Sequence, residues 1–248
     1  MLHIKIPSRL LPVMAVHHKW LALKPEPADA FRFAQYFHCE HQGEVFGFRR
    51  RPKFTLLIDL TRPGDAILSS FLETTRYEIN RCARENVSLE VEKDIDRFCS
   101  FLNAPADTKR RGHVEPSTLA PYWPHVHVTK AVAPDDTLVM HAHLFDAQSG
   151  RAVLYQSASL FRLESDSQHR NRIGRANRWL HFRDMLAFKE MGASVYDFRG
   201  YAKGTTNPEL KGINDFKDGF GGALVEQSNY VSHIAVLWNR LRGGTGAT

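Results

Sequence analysis

The chain has 248 residues, 43% hydrophobic and 24% charged, with a net charge of +6. These ordinary globular values exclude a collagen-like or intrinsically disordered chain, and no stretch approaches the roughly 20 apolar residues of a membrane span. The positive balance favours anionic partners such as phosphorylated cofactors, sugar nucleotides, RNA or acidic lipid surfaces, and the three scattered cysteines, Cys39, Cys82 and Cys99, indicate neither a disulfide framework nor a zinc site and suit a reducing cytoplasm.

Near the N-terminus, Lys5 and Arg9 flank an apolar run from Leu10 to Val16. Pro12 interrupts the run, His17, His18 and Lys19 end it, and no small-residue cleavage site follows. It is read as part of a strand over about 12–20 and not as a secretory leader. Residues 21–53, rich in Pro, Arg and His with weak periodicity, predict irregular structure before a strand from Phe54 to Leu60. Within that stretch, His38-Cys39-Glu40-His41 lacks partners at metal-ligand spacing and reads as a surface turn. Pro63-Gly64 is a turn, and Asp65 to Leu72 predicts a short helix. Thr75 and Glu78 have capping-box spacing for a helix reaching about Asn86. A strand at Ser88 to Val91, a helix from Asp94 to Asn103 and a Pro-rich loop over 104–124 follow.

Strands are expected at about 125–132, 137–145 and 152–163, with turns at Pro134-Asp135-Asp136 and Gln148-Ser149-Gly150. A long helix over 175–191 carries apolar Ala176, Trp179, Leu180, Phe182, Met185, Leu186 and Phe188, with Gly192 as a left-handed cap. Ala193 to Phe198 then forms a strand. This order predicts a mixed α/β layer fold. The expected organisation is an N-terminal extension (1–62), a main domain (63–242) and a frayed tail (243–248).

Three segments concentrate charge where ligands bind. Arg170, Arg172, Gly174, Arg175 and Ala176 lie where the chain enters the long helix. Free backbone N–H groups there, with three guanidinium charges, suit a pyrophosphate; the alternative is a solvated basic turn. Asp197 and Arg199 end a strand, a usual crevice position in α/β sheets, or form a salt bridge. Phe216 and Phe220 bracket Lys217, which then neutralises a phosphate or stabilises an oxyanion, or is an exposed lysine on an amphipathic turn. Arg76, Asn80 and Arg84 recur at i, i+4, i+8 on the Thr75 helix, an acceptor-phosphate stripe or a solvated face tied to Glu78 and Glu85.

Four histidines, His125, His127, His141 and His143, fall on adjacent strands. A register in which paired numbers sum to 268 brings all four together; the four-residue loop from Ala133 to Asp136 gives 269, which separates the pairs. No metal site is expected, and one of the four could serve as a general base.

Phe216-Lys217-Asp218-Gly219-Phe220-Gly221-Gly222, preceded by Tyr196-Asp197-Phe198-Arg199-Gly200, by Gly174-Arg175-Ala176-Asn177-Arg178-Trp179-Leu180 and by the basic helix Thr75 to Val87, resembles the FemAB-like branch of the GNAT (N-acyltransferase) superfamily. The resemblance covers about residues 65–231. It implies a mixed sheet, flanked by helices and split where donor and acceptor meet. Lys217 then lies near the reacting carbonyl with Asp197 as a second catalytic group. Arg170 to Ala176 hold the donor, and Arg76, Asn80, Arg84, Arg199, Phe216 and Phe220 line the substrate. No tightly bound cofactor is implied. The donor is acyl-CoA, with aminoacyl-tRNA as the alternative. The acceptor is an amine on a small, phosphorylated molecule, an amino sugar of a cell-envelope glycan precursor. A non-catalytic binding module of the same fold is the other class.

Overall fold

The computed structural model describes residues 1–7, 15–106, 112–134 and 136–241. Residues 12–14 of the first expected strand, 107–111 of the Pro-rich loop, Asp135 of the first meander turn and the tail 243–248 lie outside the described residues. The chain divides into two compact units: residues 1–55 with the C-terminal segment from Leu224, and residues 56–223. The division falls between Thr55 and Leu56 and not at the expected 62/63, and the C-terminal segment groups with the first unit.

In the first unit, β1 (Leu2–Pro7) pairs antiparallel with β2 (Ala15–Trp20), and β2 pairs parallel with β3 (Ala34–Cys39). β10 (Ala223–Ser232) lies antiparallel to β3 and beside β4 (Phe48–Asp59), and α7 (His233–Leu241) follows it. Residues 21–53, expected to be irregular, therefore hold β3 and the start of β4. Their alternation is masked because buried positions of β3 are polar or amphipathic. Tyr36 is fully buried and donates to Asp29, which also meets Lys19 Nζ at 2.7 Å. His38 and Cys39 are buried too, with His38 Nδ1 2.9 Å from Gln227 Oε1, so this is not a surface turn.

In the second unit the strand order is β4, β9 (Val195–Asp197), β8 (Arg151–Ser159), β7 (Asp136–Asp146), β6 (Val126–Ala133) and β5 (Ser88–Glu92). The β8–β9 pair is parallel and the other pairs are antiparallel. One face meets α5 (Ser167–Glu190), through a core that includes Ala131, Val139, Ile173, Leu180, Met185, Tyr196, Phe198 and Phe220. Val128, Met140, Ala142 and Ala158 pack instead with Phe98, Cys99 and Leu102 of α3 (Ile95–Asn103) and with Leu119 of α4 (Pro116–Leu119). α1 (Gly64–Ser69), α2 (Glu73–Cys82) and α6 (Pro208–Asp218) complete the unit. No helix among the described residues is long and apolar enough to cross a membrane.

α3 covers the expected span, with Asp94 as its N-cap accepting from the Asp96 and Arg97 N–H groups, and Gly192 has φ 93°. Other ends differ. α5 begins at Ser167 with Asp166 as N-cap, eight residues before 175, and β8 stops at Ser159. α2 begins at Glu73 without a side-chain cap, so Thr75 lies inside it, buried, and no capping box forms. α2 also ends at Cys82, which leaves Arg84 beyond it and breaks the i, i+4, i+8 stripe.

The β6–β7 turn pairs Ala133 with Asp136 and Val132 with Thr137, a sum of 269, as the loop length implies. An irregularity then shifts the register, so that Ala131 meets Val139, Thr129 meets His141 and His127 meets His143. The sum becomes 270, and even sums put odd-numbered residues of both strands on one face. The bulge therefore reunites His127, His141 and His143, while His125 stays in a 3-10 turn before β6.

The glycines after α6 serve the packing of the chain on itself. A Cβ on Gly219 would lie 2.5 Å from Thr75 Oγ1, and one on Gly222 would lie 2.5 Å from the Leu57 carbonyl oxygen. Gly222 also has φ 94°. Gly222→Ala adds backbone strain to a clash with a main-chain atom that cannot swing away. It should destabilise the protein by about 2–4 kcal/mol in urea unfolding; a change under about 0.5 kcal/mol would contradict this packing.

Candidate functional site

Two parallel strands that part leave a cleft between their C-terminal ends. β8 and β9 pair only from Arg151 to Val153 and from Val195 to Asp197. β9 then stops, while β8 continues to Ser159 along β7. On β8 the register shifts between Leu154, opposite His143, and Gln156, opposite Ala142, which leaves Tyr155 as the extra residue of a bulge. This fork is the split in the sheet.

Arg199 and Gly200 turn the chain at the fork with φ of 52° and 45°. A non-glycine residue in that conformation needs support from its surroundings. Asp197, fully buried, supplies part of it by accepting the Arg199 backbone N–H at 2.7 Å. Its other oxygen takes Arg151 Nη2 at 2.5 Å. Arg151 is therefore an ionic partner of Asp197 to which the sequence did not point. Removing one member of such a buried pair typically costs about 3–5 kcal/mol. The Arg199 guanidinium instead crosses the fork, donating to the Tyr155 carbonyl at 2.8 Å with its carbon 5.7 Å from the Tyr155 ring.

One face of α6 holds the turn from the other side. Lys217 Nζ donates to the carbonyl oxygens of Arg199 and Gly200. Asn214, three residues earlier, donates to Ala202 O at 2.9 Å and accepts the Ala202 N–H at 3.1 Å. Asp218 accepts the Tyr201 hydroxyl at 2.9 Å. Phe220 is fully buried with its ring centroid 4.9 Å from Phe198, and Phe216 sits 5.5 Å from Phe220 beneath the Arg178 guanidinium. The two phenylalanines thus fix the helix that aims Lys217.

Burial draws the Lys217 pKa down to about 8; the Asp197 carboxylate opposes that shift and the Arg199 charge reinforces it. An ammonium has three N–H donors. Two go to the carbonyls of Arg199 and Gly200.

The remaining expected site residues lie elsewhere. Arg170 to Ala176 sit within α5, past its first turn, so the backbone N–H groups of Gly174, Arg175 and Ala176 belong to the helix ladder and present no anion site. Ala176 is fully buried. Arg175 pairs with Glu85 at 2.8 Å, Arg172 donates to the Glu85 carbonyl at 3.0 Å, and Arg170 lies 6.0 Å from the Phe161 ring. Arg76 donates to Phe71 O, and Arg84 donates to Asn80 O at 3.3 Å. These contacts brace helices and turns. Sequence reasoning missed Arg151, Tyr155 and Asn214. Only Asn214 left a trace, at helical spacing from Lys217.

A cavity of about 260 Å³ opens beside β8 just past Tyr155, lined by Leu102, Asn103, Ala106, Val114, Gln156 and Ser157. Asn103 closes its rim by bonding both polar backbone groups of Val114, at 3.0 and 2.8 Å. Lys217 is not among its lining residues, so the cavity is distinct from the fork.

No protein-family model and no curated protein matches the chain. Among solved structures, FemX is similar at 10% identity, with 96% of this chain and 85% of that chain covered and a TM-score of 0.67. The C-terminal domain of a putative lysylphosphatidylglycerol synthetase from Agrobacterium fabrum aligns at 16% identity over 86% and 72% of the two chains, TM-score 0.53. L-PGS from Bacillus licheniformis aligns at 11% over 85% and 73%, TM-score 0.54. The chain thus has a mixed α/β fold like that of FemX.

The depressed Lys217 pKa has a consequence for stability. Between about 8 and its ordinary 10.5, the unfolded chain holds a proton that the folded chain has lost, so stability rises with pH across that window. Lys217→Met removes this term. The wild type should gain on the order of 3 kcal/mol relative to the variant between pH 7.5 and 10.5, read by urea unfolding. A pH-independent difference between the two would show that the lysine is not desolvated.

Proposed function

We propose that this chain transfers an acyl group from an activated ester to an amine, with the donor carbonyl held at the β8–β9 fork beside Lys217. The observation that carries this reading is the buried ammonium, fixed by two main-chain carbonyls at the point where the parallel strands separate. A neutral amine attacks the carbonyl, the C–N bond forms and the C–O bond of the ester breaks. The amine proton is lost and the leaving oxygen gains one. The protein's part is to hold the reactants together and to stabilise the oxyanion. In this reading Lys217 supplies the second task with a third N–H beyond the two bonded to main-chain carbonyls.

For the donor, an aminoacyl ester carried on tRNA is favoured over acyl-CoA. Arg170 to Ala176, the segment expected to hold the donor, lie inside α5 and leave no free helix N-terminus for a CoA pyrophosphate. The likeness to FemX and to the lysylphosphatidylglycerol synthetase domain supports the aminoacyl alternative, and a net charge of +6 suits a polyanionic carrier. The acceptor is taken to be an amine on a phosphorylated small molecule, such as an amino sugar of an envelope glycan precursor, as the FemAB resemblance implies.

Mass spectrometry of reactions that pair charged tRNA pools or acyl-CoA pools with amine acceptors tests both steps. The expected product carries the mass of one aminoacyl residue and needs charged tRNA, and Lys217→Met lowers turnover at least about 100-fold, as for loss of an oxyanion donor. Product from acyl-CoA alone would restore the thioester donor. No product from either pool, with the protein folded, would make the chain a non-catalytic module.

A further inference from the structure

The face of β7 that packs on α5 carries His141 and His143, and α5 sets His181 and Asp184 against them. All four are at most 2% exposed. His141, His181 and Asp184 can each offer one donor atom, and those atoms lie within 4.8 Å of one another. His141 Nδ1 and Asp184 Oδ2 are 2.8 Å apart. Two ligands of one zinc-like ion, each at ~2.1 Å, sit about 3 Å apart, so small side-chain shifts bring this set to one point.

Each side chain has a further partner that fixes its orientation. His141 Nε2 meets Asn177 Oδ1 at 2.9 Å, and Asp184 Oδ1 accepts the Thr129 hydroxyl at 2.7 Å. The Tyr196 hydroxyl lies 2.7 Å from His181 Nδ1 and 2.8 Å from His143 Nε2. Metal ligands are commonly oriented by carbonyls, hydroxyls and carboxylates in this way. His143 Nε2 is 3.9 Å from Asp184 Oδ2, and its Nδ1 is buried without a hydrogen-bond partner.

A further feature favours a cation. Asp184 is a fully buried carboxylate, and an isolated buried charge is expensive; a metal ion held by these side chains offsets it. A nitrogen-rich set with one carboxylate suits a borderline d-block cation better than magnesium or calcium.

We propose that His141, His181 and Asp184 bind a divalent cation of the zinc class, with His143 as fourth ligand, joining β7 to α5 inside the core. The site is structural, and it stands or falls independently of the transfer reaction.

The test uses the full chain, stripped with chelator and titrated with Co²⁺, then Zn²⁺. One Co²⁺ per chain should give the visible absorption of a four-coordinate site, displaced by one Zn²⁺, with the melting temperature raised by at least about 4 °C. His181→Gln and Asp184→Asn should lose the band. A His3→Gln/His17→Gln variant, which removes an exposed histidine pair 2.9 Å apart, should keep it. A wild-type protein that gives no band, or a band that survives in the folded His181→Gln or Asp184→Asn variants, overturns the proposal and leaves a hydrogen-bonded His141–Asp184 pair. If both variants fail to fold, the wild-type band and melting shift decide alone: their absence overturns the site, and their presence, unchanged in the His3→Gln/His17→Gln variant, supports it.

Discussion

The structure around the fork depends on one buried ammonium. A lysine taken out of water needs compensation, and main-chain carbonyls can supply it only where the backbone turns two of them the same way. The left-handed conformations of Arg199 and Gly200 achieve that. Lys217 and the turn are therefore mutually dependent: the turn offers two carbonyls to the lysine, and the lysine holds a conformation that Arg199 would otherwise avoid. Asp197 serves the same turn from the strand side while Arg151 neutralises its charge. The result is a cation aimed at the cleft by groups that have little freedom to move.

Rigidity of this kind is what acyl transfer requires. A donor that must reorganise when the oxyanion forms loses much of its value, whereas one already fixed in a dry setting keeps it. The α6 face that presents Asn214, Lys217 and Asp218 fixes residues 199–202 at three points. The phenylalanines anchor that helix, and the closing glycines allow its end to reach β4 and the start of α2. The segment from Asn214 to Gly222 thus works mostly as architecture around the Lys217 ammonium.

Much of this was legible in the sequence. The meander and the span of α3 each rest on local spacing, which one chain displays. Four features were not legible, each for a physical reason. The first turns of α5 are exposed, so Ser167 to Arg172 carry no apolar periodicity, and a helix interior was taken for a helix start. β3 buries Tyr36, His38 and Cys39 in place of aliphatic residues, which hid its alternation. The irregularity near Leu138 moves the β6–β7 register by one, and loop length cannot foretell a bulge. Arg151 was overlooked because its partner Asp197 lies 46 residues away on a strand whose pairing no local pattern encodes.

The central claim is that the activated donor binds at the fork and not along the basic stretch of α5. Hydrogen–deuterium exchange with a non-transferable aminoacyl-adenosine amide locates it directly. The account predicts added protection confined to residues 153–157, 198–202 and 214–218. Protection at 170–176, with the fork unchanged, would contradict it.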